Sequence, residues 1–187
     1  LSVLLFTVYV LFMVPGISFL LILVLPLLSC LHFYFSFAFL NNVRLKDIFK
    51  KSSYKHTTSK RILFAIATGF VSSMAILGIL FKLLSWPGSS FMLLFSGASF
   101  GIILLISLLK FTKNKSLFYS GIIKRALLLG GVATFLMFLP PNAISKFKYR
   151  NYPQYIEALD ALHKDPENEA LQQKVTEERR KIDLEEE

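Results

Sequence analysis

Carboxylates and cysteines are scarce in this chain of 187 residues. Asp47 is the only Asp or Glu before Glu157. Paths for protons and cations through membranes usually depend on buried carboxylates, so the chain alone cannot build an ordinary proton-conducting path. Cys30 is the single cysteine, which excludes an intrachain disulfide and a metal site made of paired thiols.

Recognisable catalytic motifs are also missing. The sequence contains no nucleotide-binding loop, no Ser-His-Asp set, and neither HExxH nor CxxC. His32, His56 and His163 are too scattered to predict a shared metal site. We therefore predict no catalytic residue, no metal and no cofactor, and we expect a protein that is not an enzyme.

Long apolar blocks dominate what is present. Hydrophobic residues make up 54% of the chain, and Phe occurs 19 times. The blocks are of the length that crosses a bilayer as a helix, and they lack the alternation of a barrel strand. The sequence predicts an all-α, multi-pass membrane protein with about five transmembrane helices.

Turns and basic stretches divide the chain into six predicted segments. Pro-Gly pairs at Pro15-Gly16 and Pro87-Gly88 reverse the chain between apolar blocks. The segments are a first transmembrane hairpin over 1–40, whose N-terminus we expect to be incomplete; a basic loop over 41–61; a second hairpin over 62–109; a basic loop over 110–125; a fifth transmembrane helix over 126–139; and a charged helical tail over 140–187.

The charge distribution predicts an orientation. Residues 1–141 carry 13 Lys and Arg against Asp47 alone, and nearly all of these bases lie in the two basic loops. By the positive-inside rule the loops are cytoplasmic and the tail is periplasmic, in a bacterial inner membrane. The bases point to the lipid bilayer as a partner rather than to nucleic acid. The candidate headgroup contacts are Arg44, Lys46, Lys50 and Lys51.

The tail differs from the rest in composition, since it holds 11 acidic and 8 basic residues. A first helix is predicted over 153–164, and Asp165-Pro166 is typical of the start of a second helix. The apolar stripe of these helices is too narrow for an independent core. We expect the tail either to pack on a partner or to remain in solvent.

Lys82 is the most unusual ionisable residue, because it lies inside an apolar block five residues before Pro87. At 1.5 Å per residue it is about 7 Å from the turn. Two roles stay open: a side chain that snorkels to the surface, or a charge that meets the carboxylate of a partner. Trp86, Pro87 and Gly88 are the candidate turn and interface anchor.

Gly97 and Gly101 are the candidate residues for helix packing. They have the small-xxx-small spacing that lets membrane helices approach closely. The motif predicts tight packing without naming a partner.

The segment from Gly78 to Gly88, GILFKLLSWPG, followed by Met92-Leu93-Leu94, resembles a known membrane hairpin. It is similar to the hairpin of the GldL (PorL) family, motor subunits of gliding motility and type IX secretion in Bacteroidota, whose pattern is G-x-L-F-K-x-x-H-W-P-G. The likeness spans residues 62–109 only. It implies a proton-driven motor with a force-transmitting partner, in which Lys82 is the family's hairpin lysine. Ser85 stands where the family has His, and Phe100 where its second helix has Glu.

These features predict a non-enzymatic accessory or scaffolding subunit of a larger membrane complex, with other membrane subunits as partners. Lys82 and the tail are its candidate contacts. One alternative is a component of a GldL-like proton-driven motor, which would need a carboxylate from a partner. Another is a small membrane carrier or channel, with a polar cavity lined by His32, Tyr34 and serines. The sequence identifies no small-molecule substrate.

Overall fold

A computed structural model of the chain describes residues 17–55, 57–140 and 143–185. These residues form helices joined by short links, and no strand occurs among them. They divide into two compact units, of which the first ends at Leu139 and the second begins at Pro140.

The first unit contains four helices that are long and apolar enough to cross a membrane. The all-α prediction is thereby confirmed for the described residues. The span predicted before Pro15 lies outside them. The four helices are α1 (Ile17–Phe39), α2 (Ser59–Leu83), α3 (Ser89–Asn114) and α4 (Leu117–Phe138), the last with an internal π-helical turn at Ala126–Gly130.

Helix α2 is the centre of this unit. Half of its most apolar window is buried, against 22% to 28% for the other three helices, because α2 packs against all three of them. Small residues make this contact possible, since they let neighbouring backbones approach. Ala65, Gly69, Ser72, Ser73, Ala75 and Gly78 are all buried on α2.

The basic stretch at 110–125 is helical, which differs from the predicted loop. Helix α3 continues to Asn114 and α4 begins at Leu117, so only Lys115 and Ser116 connect them. Lys115 adopts a left-handed conformation, with φ 42°, and the Ser116 side chain caps α4 by accepting a hydrogen bond from the Phe118 N–H. The helix predicted to be the fifth span therefore starts at Leu117 instead of residue 126.

The second unit is a helical tail with a small core of its own. It comprises α5 (Ala143–Lys148), α6 (Pro153–Lys164) and α7 (Glu169–Glu185). Tyr149, Tyr155 and Ile182 are buried together, and the rings of the two tyrosines meet edge to face with centroids 4.8 Å apart. The prediction that the apolar stripe of the tail is too narrow for an independent core is wrong, because it did not include Tyr149. This residue lies before the predicted helices and adds its aromatic ring to the core.

The start of α7 also differs from the prediction. The helix begins at Glu169, and the side-chain oxygen of Asn168 accepts a hydrogen bond from the Leu171 N–H at 3.2 Å. Asn168 in turn donates to Asp165 at 3.0 Å. Asp165-Pro166 therefore forms the turn before the helix, and Asn168 provides the cap.

Candidate functional site

Lys82 lies in the last turn of α2 and is buried, with 5% of its surface exposed. Its ammonium donates a hydrogen bond to the backbone oxygen of Leu139 at 2.9 Å. Leu139 follows the last residue of α4 and is its C-cap. The final carbonyls of a helix lack partners within the helix, and a cation there is favourable. Lys82 thus ties the end of α2 to the end of α4.

The turn after Lys82 is a Schellman motif, a standard helix ending. The Trp86 N–H donates to the Phe81 oxygen at 2.7 Å, and the Ser85 N–H donates to the Lys82 oxygen at 3.2 Å. Ser85 takes the left-handed position, with φ 56°, which is most often occupied by Gly. The rings of Phe81 and Trp86 supply the apolar contact of the motif, with centroids 5.2 Å apart.

The predicted anchor residues lie on this turn. Trp86 is 43% exposed and Pro87 is also exposed. Gly88 has φ 85° and is the N-cap of α3, so it occupies a conformation that residues with a side chain rarely adopt. The motif therefore fixes where α2 ends and holds Lys82 one turn before the surface residues.

The two candidate packing glycines have different surroundings. A methyl group at Gly97 would lie 3.2 Å from the side-chain oxygen of Thr134 on α4, so Gly97 faces a neighbouring helix. A methyl group at Gly101 would meet nothing within 4 Å. Within the described part of the chain, Gly101 therefore faces away from the bundle.

Of the glycines in the described part of the chain, Gly69 comes closest to a neighbouring helix, and the motif did not single it out. A methyl group at Gly69 would lie 2.5 Å from the backbone oxygen of His32, and closer still to Cβ and Oγ of Ser36. Farther along the same pair of helices, the hydroxyls of Ser29 and Ser73 are 2.7 Å apart. Helices α1 and α2 therefore meet through small residues and one buried hydrogen bond.

The polar residues proposed for a carrier cavity do not converge. Tyr34 is 62% exposed. Nδ1 of His32 lies 2.9 Å from the Leu28 oxygen, and it carries the proton because a carbonyl oxygen only accepts. Ser72 donates to the Thr68 oxygen at 2.8 Å. His32 and Ser72 therefore bond to the backbone of their own helices.

The four candidate headgroup contacts are exposed on the segment between α1 and α2. Lys50 pairs with Asp47 at 2.8 Å. Phe49 beside it is 94% exposed, and an aromatic ring among bases suits a lipid surface. Val43 and Ile48 pack with Ala38, so the segment folds back on the end of α1. The remaining candidates are Arg44, Lys46 and Lys51.

The sequence-predicted residues do not form one site. Lys82 and its turn lie at one end of α2, whereas the basic segment precedes the other end. Among the described residues, no group of three His, Cys, Asp or Glu side chains is placed to hold a metal ion. The residue that completes the Lys82 contact, Leu139, contributes a backbone atom, so no side-chain motif could have revealed it.

Comparisons with protein-family models, with curated proteins and with solved structures gave no match. The resemblance of residues 62–109 to the GldL hairpin therefore stays a prediction.

Proposed function

We propose that the chain is a non-enzymatic integral inner-membrane protein that serves as an accessory or scaffolding subunit of a larger membrane complex. One observation carries this proposal: the last candidate span is followed by a tail that folds into a helical unit with its own core. A tail without a core would pay a large entropic cost on binding a partner. A folded tail can offer a partner a fixed surface.

The Lys82 contact supports the same function. Because its ammonium caps Leu139, α4 ends at a defined residue, and the tail begins at the next one. A hydrogen bond to a charged group contributes about 1.5 to 3 kcal/mol. This contact favours a structural role for Lys82 over a role in chemistry.

The surface of the tail suits contact with another protein. Arg179 lies 4.7 Å from the centroid of the Tyr149 ring, which holds this aromatic residue in place. The exposed face of α7 is polar and carries both signs of charge, as the rims of protein interfaces do. Its residues are Glu169, Gln172, Gln173, Thr176, Glu177 and Arg180.

Gentle extraction from native membranes, with an affinity tag after Glu187, tests the proposal. We expect larger membrane subunits to co-purify in stoichiometric amounts, as measured by mass spectrometry. Ile182→Asp places a charge in the tail core, where Ile182 is 2% exposed, and should release those subunits. Lys174→Ala, an exposed change on the same helix but outside that face, is the matched control. A wild-type protein that purifies alone would contradict the proposal.

A GldL-like motor is the second candidate, and the burial of Lys82 favours it. Among the described residues up to Leu139, Asp47 is the only acid, so the carboxylate would come from a partner. Lys82→Gln keeps a donor for the Leu139 oxygen but removes the charge. Loss of function with the complex still assembled would support the motor; retained function would support the structural cap.

The third function considered from the sequence, a small carrier or channel, is less consistent with the contacts of the described residues. Among its candidate lining residues, Tyr34 faces outward, and Ser29 and Ser73 bond to each other within the bundle. Transport assays in liposomes remain its direct test.

A further inference from the structure

Arg61 of α2 contacts α4, and a second arginine, Arg125, lies farther along α4. The guanidinium of Arg61, in the first turn of α2, lies 4.3 Å from the centroid of the Phe118 ring. Phe118 is almost completely buried, so this cation–π contact holds the arginine in place. Arg125 is seven residues beyond Phe118 on α4, which puts both residues on the same face of the helix.

The arginines have no acidic partner in the described part of the chain. Its salt bridges involve neither Arg61 nor Arg125. Asp47, the only acid before the tail, is paired with Lys50. Nε of Arg61 is buried and has no hydrogen-bond partner. A buried donor of this kind is costly unless an acceptor reaches it.

Open space adjoins Gly121, which lies between Phe118 and Arg125 on α4. Gly121 lies one turn before Arg125 on α4, and a methyl group at Gly121 would meet nothing within 4 Å. Side chains on a helix lean toward its N-terminus. Helix geometry therefore favours an Arg125 side chain that leans toward the turn of Gly121 and Phe118, the side on which Arg61 contacts α4. We call this open space the notch: Arg61, on the Phe118 ring, lies toward the start of α4, and Arg125 lies one turn beyond Gly121.

The depth of the notch distinguishes a lipid from a soluble ligand. Fourteen residues separate Arg125 from Leu139, which is about 21 Å along a helix. The hydrocarbon core of a bilayer is about 30 Å thick. If Leu139 marks one edge, Arg125 lies about 9 Å inside the other edge, and its long side chain must reach upward to a polar group. The nearest anions above that level are the lipid phosphates at the surface of the bilayer.

We propose that the notch formed by Arg61, Gly121 and Arg125 binds the phosphate of an acidic phospholipid from the surrounding bilayer. Paired guanidinium groups match phosphate oxygens in geometry as well as in charge. The site differs from the candidate headgroup contacts between α1 and α2, which are exposed on a segment outside the long helices. It is also independent of the scaffolding function, since any membrane role is compatible with it.

Native mass spectrometry of the purified full chain tests the site, with phosphatidylglycerol and phosphatidylcholine as the added probes. We expect the wild type to retain one phosphatidylglycerol in preference to phosphatidylcholine. Arg61→Gln and Arg125→Gln should each weaken this binding about fivefold. Gly121→Leu should fill the notch and abolish the preference, whereas Gly131→Leu is the matched control, because that glycine of α4 also has open space around it.

Thermal unfolding with phosphatidylcholine alone checks that each variant is folded. Arg61→Lys, which keeps the charge, should bind phosphatidylglycerol more tightly than Arg61→Gln does. Equal retention of both lipids by the wild type would overturn the proposal. So would a Gly121→Leu variant that is folded and keeps the preference. Stabilisation by glycerol 3-phosphate as large as that by phosphatidylglycerol would overturn the assignment to a lipid.

Discussion

Gly69→Ala is the substitution whose effect on the bundle follows most directly from the geometry. The new methyl group would lie 2.5 Å from the backbone oxygen of His32, and closer to the side chain of Ser36. The backbone oxygen cannot rotate away, so α1 must move outward by roughly 1 Å to restore an ordinary contact. A gap of 0.5 to 1 Å forfeits about a quarter to a half of the dispersion energy at that interface.

The expected free-energy change combines two opposing terms. Overpacking of this kind costs about 1 to 3 kcal/mol, and the loosened helices also weaken the hydrogen bond between Ser29 and Ser73. Replacing Gly by Ala inside a helix offsets about 1 kcal/mol of this cost. We expect Gly69→Ala to be less stable than the wild type by about 1 to 2 kcal/mol.

Reversible unfolding in mixed detergent micelles measures this difference. Gly101→Ala is the matched control, because a methyl group there meets nothing within 4 Å; it should be neutral or slightly stabilising. Disulfide formation between Ser29→Cys and Ser73→Cys, in a chain with Cys30→Ala, reports the helix separation and should be slower with Gly69→Ala. A Gly69→Ala variant as stable as Gly101→Ala would refute the reasoning.

Three further predictions concern the helix ends and the tail. Lys82→Met removes the donor to the Leu139 oxygen, so amide hydrogen exchange in the last turn of α4 should accelerate by a factor equivalent to about 1.5 to 3 kcal/mol; unchanged exchange would contradict the cap. Ser85→Gly should raise the free energy of unfolding by about 0.5 to 1 kcal/mol, because Ser85 has φ 56°, and a lower value would show that its side chain matters more than its backbone. Burial, and after it the charge of Asp183, raises the pKa of Tyr155 above its ordinary value of 10.0, so the tail loses stability as the pH rises above that value. The difference in tyrosinate absorbance between the wild type and Tyr155→Phe should therefore have its midpoint above pH 10.0. A midpoint at or below pH 10.0 would show that the Tyr155 ring is not buried.

The central hairpin is the part of the fold that could be predicted best from the sequence. Residues 62–109 correspond to α2 and α3, which run from Ser59 to Leu83 and from Ser89 to Asn114. Two apolar blocks of bilayer length around a Trp-Pro-Gly turn leave few other arrangements. The turn residues were also recognisable, since Gly88 has the positive φ that a reversal requires.

The helical state of residues 110–125 was harder to predict. Five bases in this stretch indicate a solvent-exposed loop when only charge is considered. The burial of Phe118 and Ile122 against the bundle makes it the first part of α4 instead. Tertiary packing overrides local composition here, because long basic side chains reach the surface from within a helix.

The contacts that define the candidate sites depend on partners that periodicity does not reveal. Lys82 was singled out from the sequence, but its acceptor is a backbone oxygen 57 residues away. Gly69 is one of several small residues on α2, and only the approach of His32 and Ser36 distinguishes it. A periodic pattern predicts which face of a helix is buried and leaves open which residue lies opposite.

Site-specific photo-crosslinking in native membranes tests the scaffolding function most directly. A photoreactive amino acid in place of Gln173 lies on the exposed face of α7, outside the tail core. The proposed function predicts a discrete adduct with a larger membrane protein, and Ile182→Asp should abolish this adduct. A chain that is present in the membrane but forms no adduct, or only adducts with itself, would contradict it.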